Sequence, residues 1–288
     1  MIAYPAGSEP RISLRPKVGA TAGVLQYQEL EFKRLFIEGP VLIMVEQGVK
    51  SLHWPGGTCE IRVGEAIALA GGQSVDIRNR IGEDGTYRAR WLAWDGSLIA
   101  AHANAHSRQP VIRNALPISC VPTGFAAAFR QAADAVEDDR VPIDIARHRA
   151  AELLLWIGLH GRRFEQARDL TLAVKIRRVI GLEVAREWSA SAVASAFAIS
   201  EATLRRKLAD EGTSLSAILV DTRMTFALQL LQSTAQPVTQ IALAVGYQTP
   251  SQFAVRFRER FGFAPTSVRG HRRAAANGDL SSKELPAA

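Results

Sequence analysis

One pattern occurs twice in the C-terminal third of this chain, and it constrains the fold more than any other feature. Each copy consists of a short apolar segment, a tight turn and a second segment with one apolar stripe; the copies are SAVASAFAISEATLRRKL (191–208) and VTQIALAVGYQTPSQFAVRFR (238–258). A hydroxyl residue that could cap a helix precedes each second segment, Ser200 in the first copy and Thr249 in the second. The repeat predicts two small helical units, each with a helix-turn-helix.

The second helix of each unit is predicted to bury one face and to expose a basic one. The apolar pairs Leu204/Leu208 and Phe253/Phe257 are four residues apart, which is the spacing of neighbours on one helix face. The residues between them then face outward, and they include Arg205, Arg206, Lys207, Arg256 and Arg258. Two basic helices of this kind favour binding to duplex DNA.

The distribution of charge agrees with that prediction. The chain has a net charge of +7, with 14 Lys+Arg against 7 Asp+Glu in residues 171–273 and a near balance of 20 against 19 in residues 1–170. The positive excess therefore lies in the segment that carries the repeat, which indicates a polyanionic partner for that segment alone.

Cysteine content and hydropathy restrict the remaining classes. The two cysteines, Cys59 and Cys120, are too few for a disulfide framework and have no zinc-site spacing. The N-terminus lacks the apolar segment of a signal peptide, and no run approaches the ~20 apolar residues that span a bilayer. We expect a cytoplasmic, nucleoid-associated protein without a membrane partner.

The N-terminal half has the pattern of a small antiparallel barrel or sandwich. Residues 1 to about 20 are rich in Pro, Gly and Arg and are predicted to be a flexible lead-in. Short alternating or β-branched runs separated by glycine turns then extend from about Gly23 to Asp95. Helices are predicted at 97–106, 124–136 and 143–160, before a polar linker at 161–170 that marks the domain boundary.

The apolar face of the helix at 143–160 is wider than one core requires. Ile145, Leu155 and Leu159 share one face, while Leu153, Leu154 and Trp156 extend it. Packing on the barrel and pairing with a second subunit both remain open, so a homodimer through 143–160 is one hypothesis.

Beyond Thr171 the sequence predicts only helices. Residues 172–188 are predicted to be one amphipathic helix, 214–232 a long helix that connects the two motifs, and 265–273 the end of the domain. The small polar tail at 274–288 is predicted to be disordered.

At these residues the chain resembles the AraC/XylS family of bacterial transcription regulators, over roughly the last 100 ordered residues. The matching positions are Trp188, Val193, Ala194, Ser200, Leu204, Arg206, Arg223, Ala227, Leu230, Leu231, Pro237, Ile241, Ala242, Gly246, Tyr247, Phe253, Phe257, Phe261, Gly262, Pro265 and Arg269. The N-terminal half is less specifically similar to the cupin-like effector domains of this family, especially the subset that controls virulence and secretion genes.

The resemblance implies an α+β protein of two domains. A cupin-like β-barrel with helices, for binding an effector or for dimerisation, is expected at 1–165, and an all-α DNA-binding domain with two helix-turn-helix motifs at 170–273. It also implies RNA polymerase as a partner, most often for activation, and control by a small-molecule effector or a regulatory protein.

Two departures from the family pattern concern the second motif. Val255 stands where the family usually has an arginine, three residues before Arg258, and a valine cannot hydrogen-bond a base edge. Pro250 opens the helix, where it suits the first turn but supplies no side-chain donor. We therefore expect the second motif to bind largely through phosphates.

The candidate DNA-binding residues of the first motif are Ser200, Ala202, Thr203, Arg205, Arg206 and Lys207. Arg205 is the main candidate for a bidentate bond to guanine, and Ala202 for contact with a thymine methyl group. Arg206 could contact a base or a phosphate, or could brace the fold; Lys207 could contact a phosphate or solvent. Glu201 is better explained by stabilisation of the helix N-terminus than by a base contact.

The candidates of the second motif are Thr249, Ser251, Gln252, Arg256 and Arg258. Gln252 could bond adenine or a phosphate, and Thr249 is expected to cap the helix and bond a phosphate. Arg256 and Arg258 are assigned to the DNA backbone.

No catalytic residue, metal site or cofactor is predicted. An enzyme of the cupin type needs two or three histidines with a carboxylate, and His53 is the only histidine among the predicted strands. His102 and His106 are four residues apart, but no third ligand is evident, so surface histidines are the better interpretation. Lys33, Arg34 and Lys50 could hold an acidic effector, although solvent exposure is favoured. Beside a transcription regulator and an enzyme, a third hypothesis is an architectural or anti-activator protein that binds DNA without regulation through a ligand.

Overall fold

The computed structural model describes residues 12–165 and 171–269, and it contains a β-rich N-terminal part followed by a helical C-terminal part. The strands are β1 (Ser13–Arg15), β2 (Gly19–Gln26), β3 (Leu30–Ile37), β4 (Val41–Gln47), β5 (Val49–Trp54), β6 (Gly57–Ile61), β7 (Ala66–Leu69), β8 (Gln73–Arg80), β9 (Tyr87–Trp94) and β10 (Ala115–Ile118). They form a six-stranded sheet in the order β1-β2-β9-β4-β7-β10 and a four-stranded sheet in the order β3-β8-β5-β6.

The two sheets face each other across an apolar core. Successive side chains of a strand point to opposite faces, so alternate residues of each strand contribute to this core. Phe32, Leu52 and Ile77 of the smaller sheet meet Val45 and Tyr87 of the larger one in that core. Glycine turns separate strands as predicted, and Gly56 and Gly72 in two of these turns have positive φ angles.

Three helices cover the other face of the six-stranded sheet. They are α1 (Gly96–Ala105), α2 (Thr123–Glu137) and α3 (Ile143–Leu159), close to the predicted bounds. Phe125 and Phe129 of α2 pack with Leu153 of α3 against Leu92 and Trp94 of the sheet. The indole of Trp94 donates to the backbone oxygen of Ala150, 2.7 Å away, which joins α3 to the sheet.

The expected lead-in over residues 1–20 is wrong from Ser13 onward, while residues 1–11 lie outside the described residues. β1 pairs with β2 in an antiparallel register, and Val18 is fully buried. The guanidinium of Arg15 is buried against the end of α2, where it donates to the carbonyl oxygens of Ala135 and Val141. Satisfied backbone acceptors and apolar burial therefore hold this segment in the fold.

The predicted polar linker at 161–170 is corrected in its first half. Phe164 is buried, with its ring centroid 5.4 Å from that of Trp94, and Ile112 donates to the carbonyl oxygen of Arg163. Residues 161–165 are consequently packed on the N-terminal domain, because burial of the Phe164 ring stabilises this position although the neighbouring residues are polar. Residues 166–170 lie outside the described range.

The C-terminal part contains only helices among its described residues. They are α4 (Leu172–Leu182), α5 (Ala190–Ala196), α6 (Glu201–Asp210), α7 (Leu215–Ser233), α8 (Val238–Ala244), α9 (Pro250–Phe261) and a 3₁₀ turn (Pro265–Arg269). The predicted disordered tail at 274–288 lies outside the described residues. Among the residues that the structure covers, no helix is long and apolar enough to span a bilayer.

The prediction of one helix over 172–188 is wrong, because α4 ends at Leu182. The chain turns after Glu183, where Arg186 donates to the carbonyl oxygen of Glu183. The indole of Trp188 donates to the same oxygen at 3.1 Å. These bonds satisfy an acceptor that lies free at a helix end, so they stabilise the turn in place of further helix.

Candidate nucleic-acid interface

The first helix-turn-helix consists of α5 and α6. Ala198 lies in the turn with φ of 52°, and Ile199 donates to the carbonyl oxygen of Ala194. The hydroxyl oxygen of Ser200 accepts from the backbone nitrogen of Thr203 at 3.1 Å, which confirms the predicted N-cap. Leu204 and Leu208 are buried, as predicted. One face of α6 therefore packs in the core of the unit, and the opposite face, called the free face below, is exposed to solvent.

The candidate residues of the first motif lie together on or beside that free face. Ser200, Ala202, Arg205, Arg206 and Lys207 are exposed, and Thr203 is half-buried. The side chain of Arg205 is 77% exposed and lies 3.5 Å from the carboxylate of Glu201, one turn earlier. Such an exposed pair is weakly held, so Arg205 can exchange this carboxylate for another acceptor.

The second helix-turn-helix consists of α8 and α9. Gly246 occupies the turn with φ of 83°, and a Cβ placed there would lie 2.9 Å from the carbonyl oxygen of Ala185 and from the guanidinium carbon of Arg223. Thr249 caps α9 by accepting from the backbone nitrogen of Gln252 at 3.3 Å, and Pro250 stands at the start of the helix. Phe253, Phe257 and Phe261 are buried, as predicted.

The candidates of the second motif are also exposed. They are Thr249, Ser251, Gln252, Arg256 and Arg258. Arg256 donates to the carboxylate of Glu259 at 2.9 Å. Val255 shares the open face and is 57% exposed, so a nonpolar side chain stands where the family usually has an arginine.

The two units differ in how their cores are built. The core of the first unit is small and local, with Ile176 and Ile180 of α4, Val193 of α5, Leu204 of α6 and Ile218 of α7. The core of the second unit is continuous with the interior of the barrel. Phe32 of β3 makes edge contacts with the rings of Phe261 and Phe263, whose centroids are 6.1 and 5.7 Å away.

The barrel candidates separate into two groups. Lys33 and Arg34 are exposed, but Lys50 is 5% exposed and lies inside the barrel, so the solvent-exposed interpretation of Lys50 is wrong. Its ammonium donates to Asn79 Oδ1 at 2.8 Å and lies 5.3 Å from the ring centroid of Tyr87. Burial lowers the pKa of Lys50 to about 7.

Lys50 belongs to a buried polar cluster that both sheets contribute to. Asn79 pairs with Lys50 across β8 and β5, and Gln26 pairs with Tyr87 across β2 and β9. Asn79 donates to Gln26 Oε1 at 3.1 Å, whereas Gln26 Nε2 and Tyr87 Oη are buried without a hydrogen-bond partner. The cluster therefore has more donors than acceptors, and an acceptor group would satisfy it.

His102 and His106 lie together on α1 and the turn that follows it. The rings of His102 and His106 stack with centroids 4.2 Å apart, and His102 is buried, so its interpretation as a surface histidine is wrong. Burial, together with the neighbouring charges of His106 and Arg163, lowers the pKa of His102 to about 4. Within residues 12–165 and 171–269 no three His, Cys, Asp or Glu side chains are grouped to hold a metal ion.

The sequence patterns did not identify three charged residues that link α4, α7 and α9. Arg177 of α4 and Arg260 of α9 are nearly buried, and both donate to the carboxylate of Asp221 on α7. Arg260 follows Arg256 and Arg258 in a basic run, so the one-dimensional pattern does not distinguish the side chain that turns inward.

Comparison with known proteins supports the resemblance. Residues 193–271 match the family model described as a helix-turn-helix domain. The transcriptional regulator SirC of Salmonella typhimurium is 38% identical over 103 residues, which are 36% of this chain and 35% of that protein. The HTH-type transcriptional regulator GadX of Escherichia coli is 32% identical over 115 residues, 40% of this chain and 39% of that protein. The chain thus matches little more than a third of the length of these curated relatives.

The fold of most of the chain is similar to that of solved structures. ToxT from Vibrio cholerae superimposes with a TM-score of 0.61 at 14% identity, and the match covers 87% of this chain and 97% of that chain. The arrangement is the two-domain α+β fold, with a cupin-like β-rich N-terminal part and a helical C-terminal part. In residues 193–271 the chain carries a helix-turn-helix domain that is similar to those of curated transcription regulators.

Proposed function

We propose that this protein is a sequence-specific DNA-binding transcription regulator whose two helix-turn-helix motifs enter adjacent major grooves. The observation that supports this most directly is the pair of capped helices α6 and α9, each buried along one apolar stripe and exposed along a basic face. In proteins of this architecture the N-terminal residues of the second helix contact base edges.

In the first motif Arg205 is the proposed base-contacting residue. Its side chain is long, exposed and held only by the neighbouring carboxylate of Glu201, so it can donate a bidentate pair to guanine O6 and N7. Ala202 is the proposed contact for a thymine methyl group. Ser200, Thr203, Arg206 and Lys207 complete the proposed interface through phosphates.

In the second motif the proposed contacts are mainly with the DNA backbone. Thr249 and Ser251 lie at the positive end of α9, where backbone N–H groups and hydroxyls suit a phosphate. Arg256 and Arg258 add charge without sequence information, and Gln252 is the residue that could bond adenine. The exposed Val255 supports this division, since it supplies no hydrogen bond to a base.

The N-terminal part is proposed to bind an acidic effector. The buried ammonium of Lys50 lies among apolar side chains beside the free donors of Gln26 and Tyr87, which suits a carboxylate on an apolar body. ToxT of Vibrio cholerae, which is similar in fold at 12% identity, has a structure with an unsaturated fatty acid bound. Lys33 is exposed and provides a matched comparison.

A stabilisation assay tests that effector class. An unsaturated fatty acid is expected to raise the melting temperature of the wild type and of Lys33→Met, but not of Lys50→Met. An equal rise in all three would place the ligand away from Lys50, and no rise in the wild type would remove this ligand class.

A homodimer through residues 143–160 is also proposed. Ile145, Leu155 and Leu159 are exposed along one side of α3, opposite the buried Ala146, Ala150 and Leu153. A row of large apolar side chains on one helix commonly marks a protein contact. Sedimentation of the wild type beside Leu155→Glu would show a dimer that the variant loses; a wild-type monomer at high concentration would contradict it.

The remaining roles follow from the family. We propose domain bounds of 1–165 and 170–273, a cytoplasmic, nucleoid-associated location, and activation of transcription by RNA polymerase. One relative carries the name transcriptional activator, CfaD of Escherichia coli, at 34% identity over 91 residues, 34% of its length.

Selection from random duplex DNA followed by hydroxyl-radical footprinting tests the main proposal. The full chain is expected to enrich a bipartite site and to protect two segments about one helical turn, ~34 Å, apart. Binding should weaken steeply with salt because phosphate contacts release counterions. No enrichment and no protection at low ionic strength would overturn the proposal.

A further inference from the structure

One carboxylate joins the two helix-turn-helix units. Asp221 lies in α7, between Ile218, which packs in the first unit, and Met224, which packs in the second. Its Oδ2 accepts from the guanidinium of Arg177 at 3.3 Å, and its Oδ1 accepts from Nε of Arg260 at 2.8 Å.

The two arginines come from different units. Arg177 belongs to α4, whose residues Ile176 and Ile180 form the first core, while Arg260 belongs to the last turn of α9 in the second. Their side chains are 10% and 9% exposed, and that of Asp221 is 32% exposed. Both guanidinium groups are therefore shielded from solvent. The interaction is also directional, because a planar guanidinium donates hydrogen bonds in fixed directions.

Both arginines also rest on the barrel strand β3. Arg260 donates to the backbone oxygens of Lys33 and Arg34 at 2.7 and 2.6 Å. The guanidinium carbon of Arg177 lies 4.4 Å from the ring centroid of Phe36. Lys33 and Arg34 form a bulge between the paired residues Phe32 and Leu35, so their positions are set by the barrel rather than by the helices.

We propose that Asp221 is a positioning residue: by binding one arginine from each helix-turn-helix unit, it fixes the distance and angle between α6 and α9 and thereby the spacing of the two DNA half-sites. The inference rests on the proposed use of both motifs in DNA binding. Two linked modules gain affinity only if their geometry matches both sites at once, and loosening the link lowers the effective concentration of the second module.

The test compares three DNA probes: the selected bipartite site, the same site with ~5 bp, about half a helical turn, inserted between its halves, and the first half-site alone. Asp221→Asn keeps the size of the side chain and removes its charge. We expect binding to the bipartite site to weaken about tenfold, discrimination against the insertion to fall, and binding to the single half-site to stay within about twofold.

Glu183→Gln is the matched control, because Glu183 pairs with Arg186 on the surface of the same domain. It should behave as the wild type on all three probes. If Asp221→Asn does not fold, Arg260→Lys is used, which keeps the charge but loses the guanidinium geometry, and the same pattern is expected. Unchanged discrimination in a folded variant overturns the inference. A wild type without a bipartite footprint overturns the proposed function instead, so the two failures are distinguishable.

Discussion

The two helix-turn-helix units have similar local structures but different surroundings. The first unit closes a small core of aliphatic residues from α4 to α7, separate from the barrel. The second unit shares its aromatic core with the barrel through Phe32, Phe261 and Phe263. A repeated sequence motif therefore does not imply an equal role, because one copy is structurally coupled to the N-terminal part more strongly than the other.

Core truncations should show the largest difference between the units. Phe257→Ala is expected to lower the free energy of unfolding by roughly 3–5 kcal/mol, and Leu208→Ala by roughly 2–5 kcal/mol. Hydrogen exchange should accelerate in β3 and β8 for Phe257→Ala, but only in α4 to α6 for Leu208→Ala. Equal acceleration in the barrel for both variants would break the comparison.

The turns of the two motifs should differ in how much a substitution changes stability. Gly246→Ala places a methyl group against Ala185 and Arg223 in a left-handed conformation, so a loss of roughly 2–3 kcal/mol is expected. Ala198 already has φ of 52°, and Ala198→Gly should change stability by less than about 1 kcal/mol. Denaturant unfolding checks both, and an equal cost at the two turns would contradict this.

Arginine removal should distinguish base contact from phosphate contact. Arg205→Ala is expected to lose about 1–3 kcal/mol of discrimination for the selected site while keeping weak general binding. Arg258→Ala should lower affinity on all sequences alike and reduce the salt dependence. Titration of selected and scrambled duplexes at two salt concentrations measures both effects. An unchanged specificity ratio in Arg205→Ala would remove Arg205 from base contact.

Lys50 should make the stability of the shared core depend on pH. The pKa of Lys50 is lowered to about 7 in the folded state from 10.5, so unfolding takes up a proton between these values and stability rises with pH. Burial raises the pKa of Cys59 to about 11, which opposes the rise only above pH 9.

Between pH 7 and about 8.5 we therefore expect a gain of roughly 1–2 kcal/mol in the stability of the barrel and the second unit. Exchange protection in α6 should not change, and Lys50→Met should abolish the gain, whereas Lys33→Met should keep it. A rise of equal size in Lys50→Met would contradict the assignment.

The sequence predicted local features well because short-range chemistry decides them. Ser200 and Thr249 cap their helices as expected, and the apolar pairs at four-residue spacing are buried. The glycine-punctuated runs are strands, and the cupin-like two-domain fold is confirmed. The candidate DNA-binding residues stay a prediction that exposure alone does not test.

Tertiary contacts decided what the sequence left out. Arg15 and Phe164 occur in polar or Pro/Gly-rich segments, and only their long-range partners bring them into the fold. The sequence around Lys50 alternates polar and apolar residues as it would around an exposed lysine. The inward direction of its side chain depends on the register of β5 with β8. Arginines occupy every second position from 256 to 260, and the last of them, Arg260, points inward because its partners are Asp221 and the backbone of β3.

The single helix α7, 19 residues long, serves two cores at once. Each residue added to a helix turns everything beyond it by about 100° and advances it by about 1.5 Å. One inserted alanine after Asp221 would therefore rotate the second unit relative to the first by about 100°. If both units bind DNA as proposed, α7 should tolerate insertions only near a whole turn, three or four residues at a time.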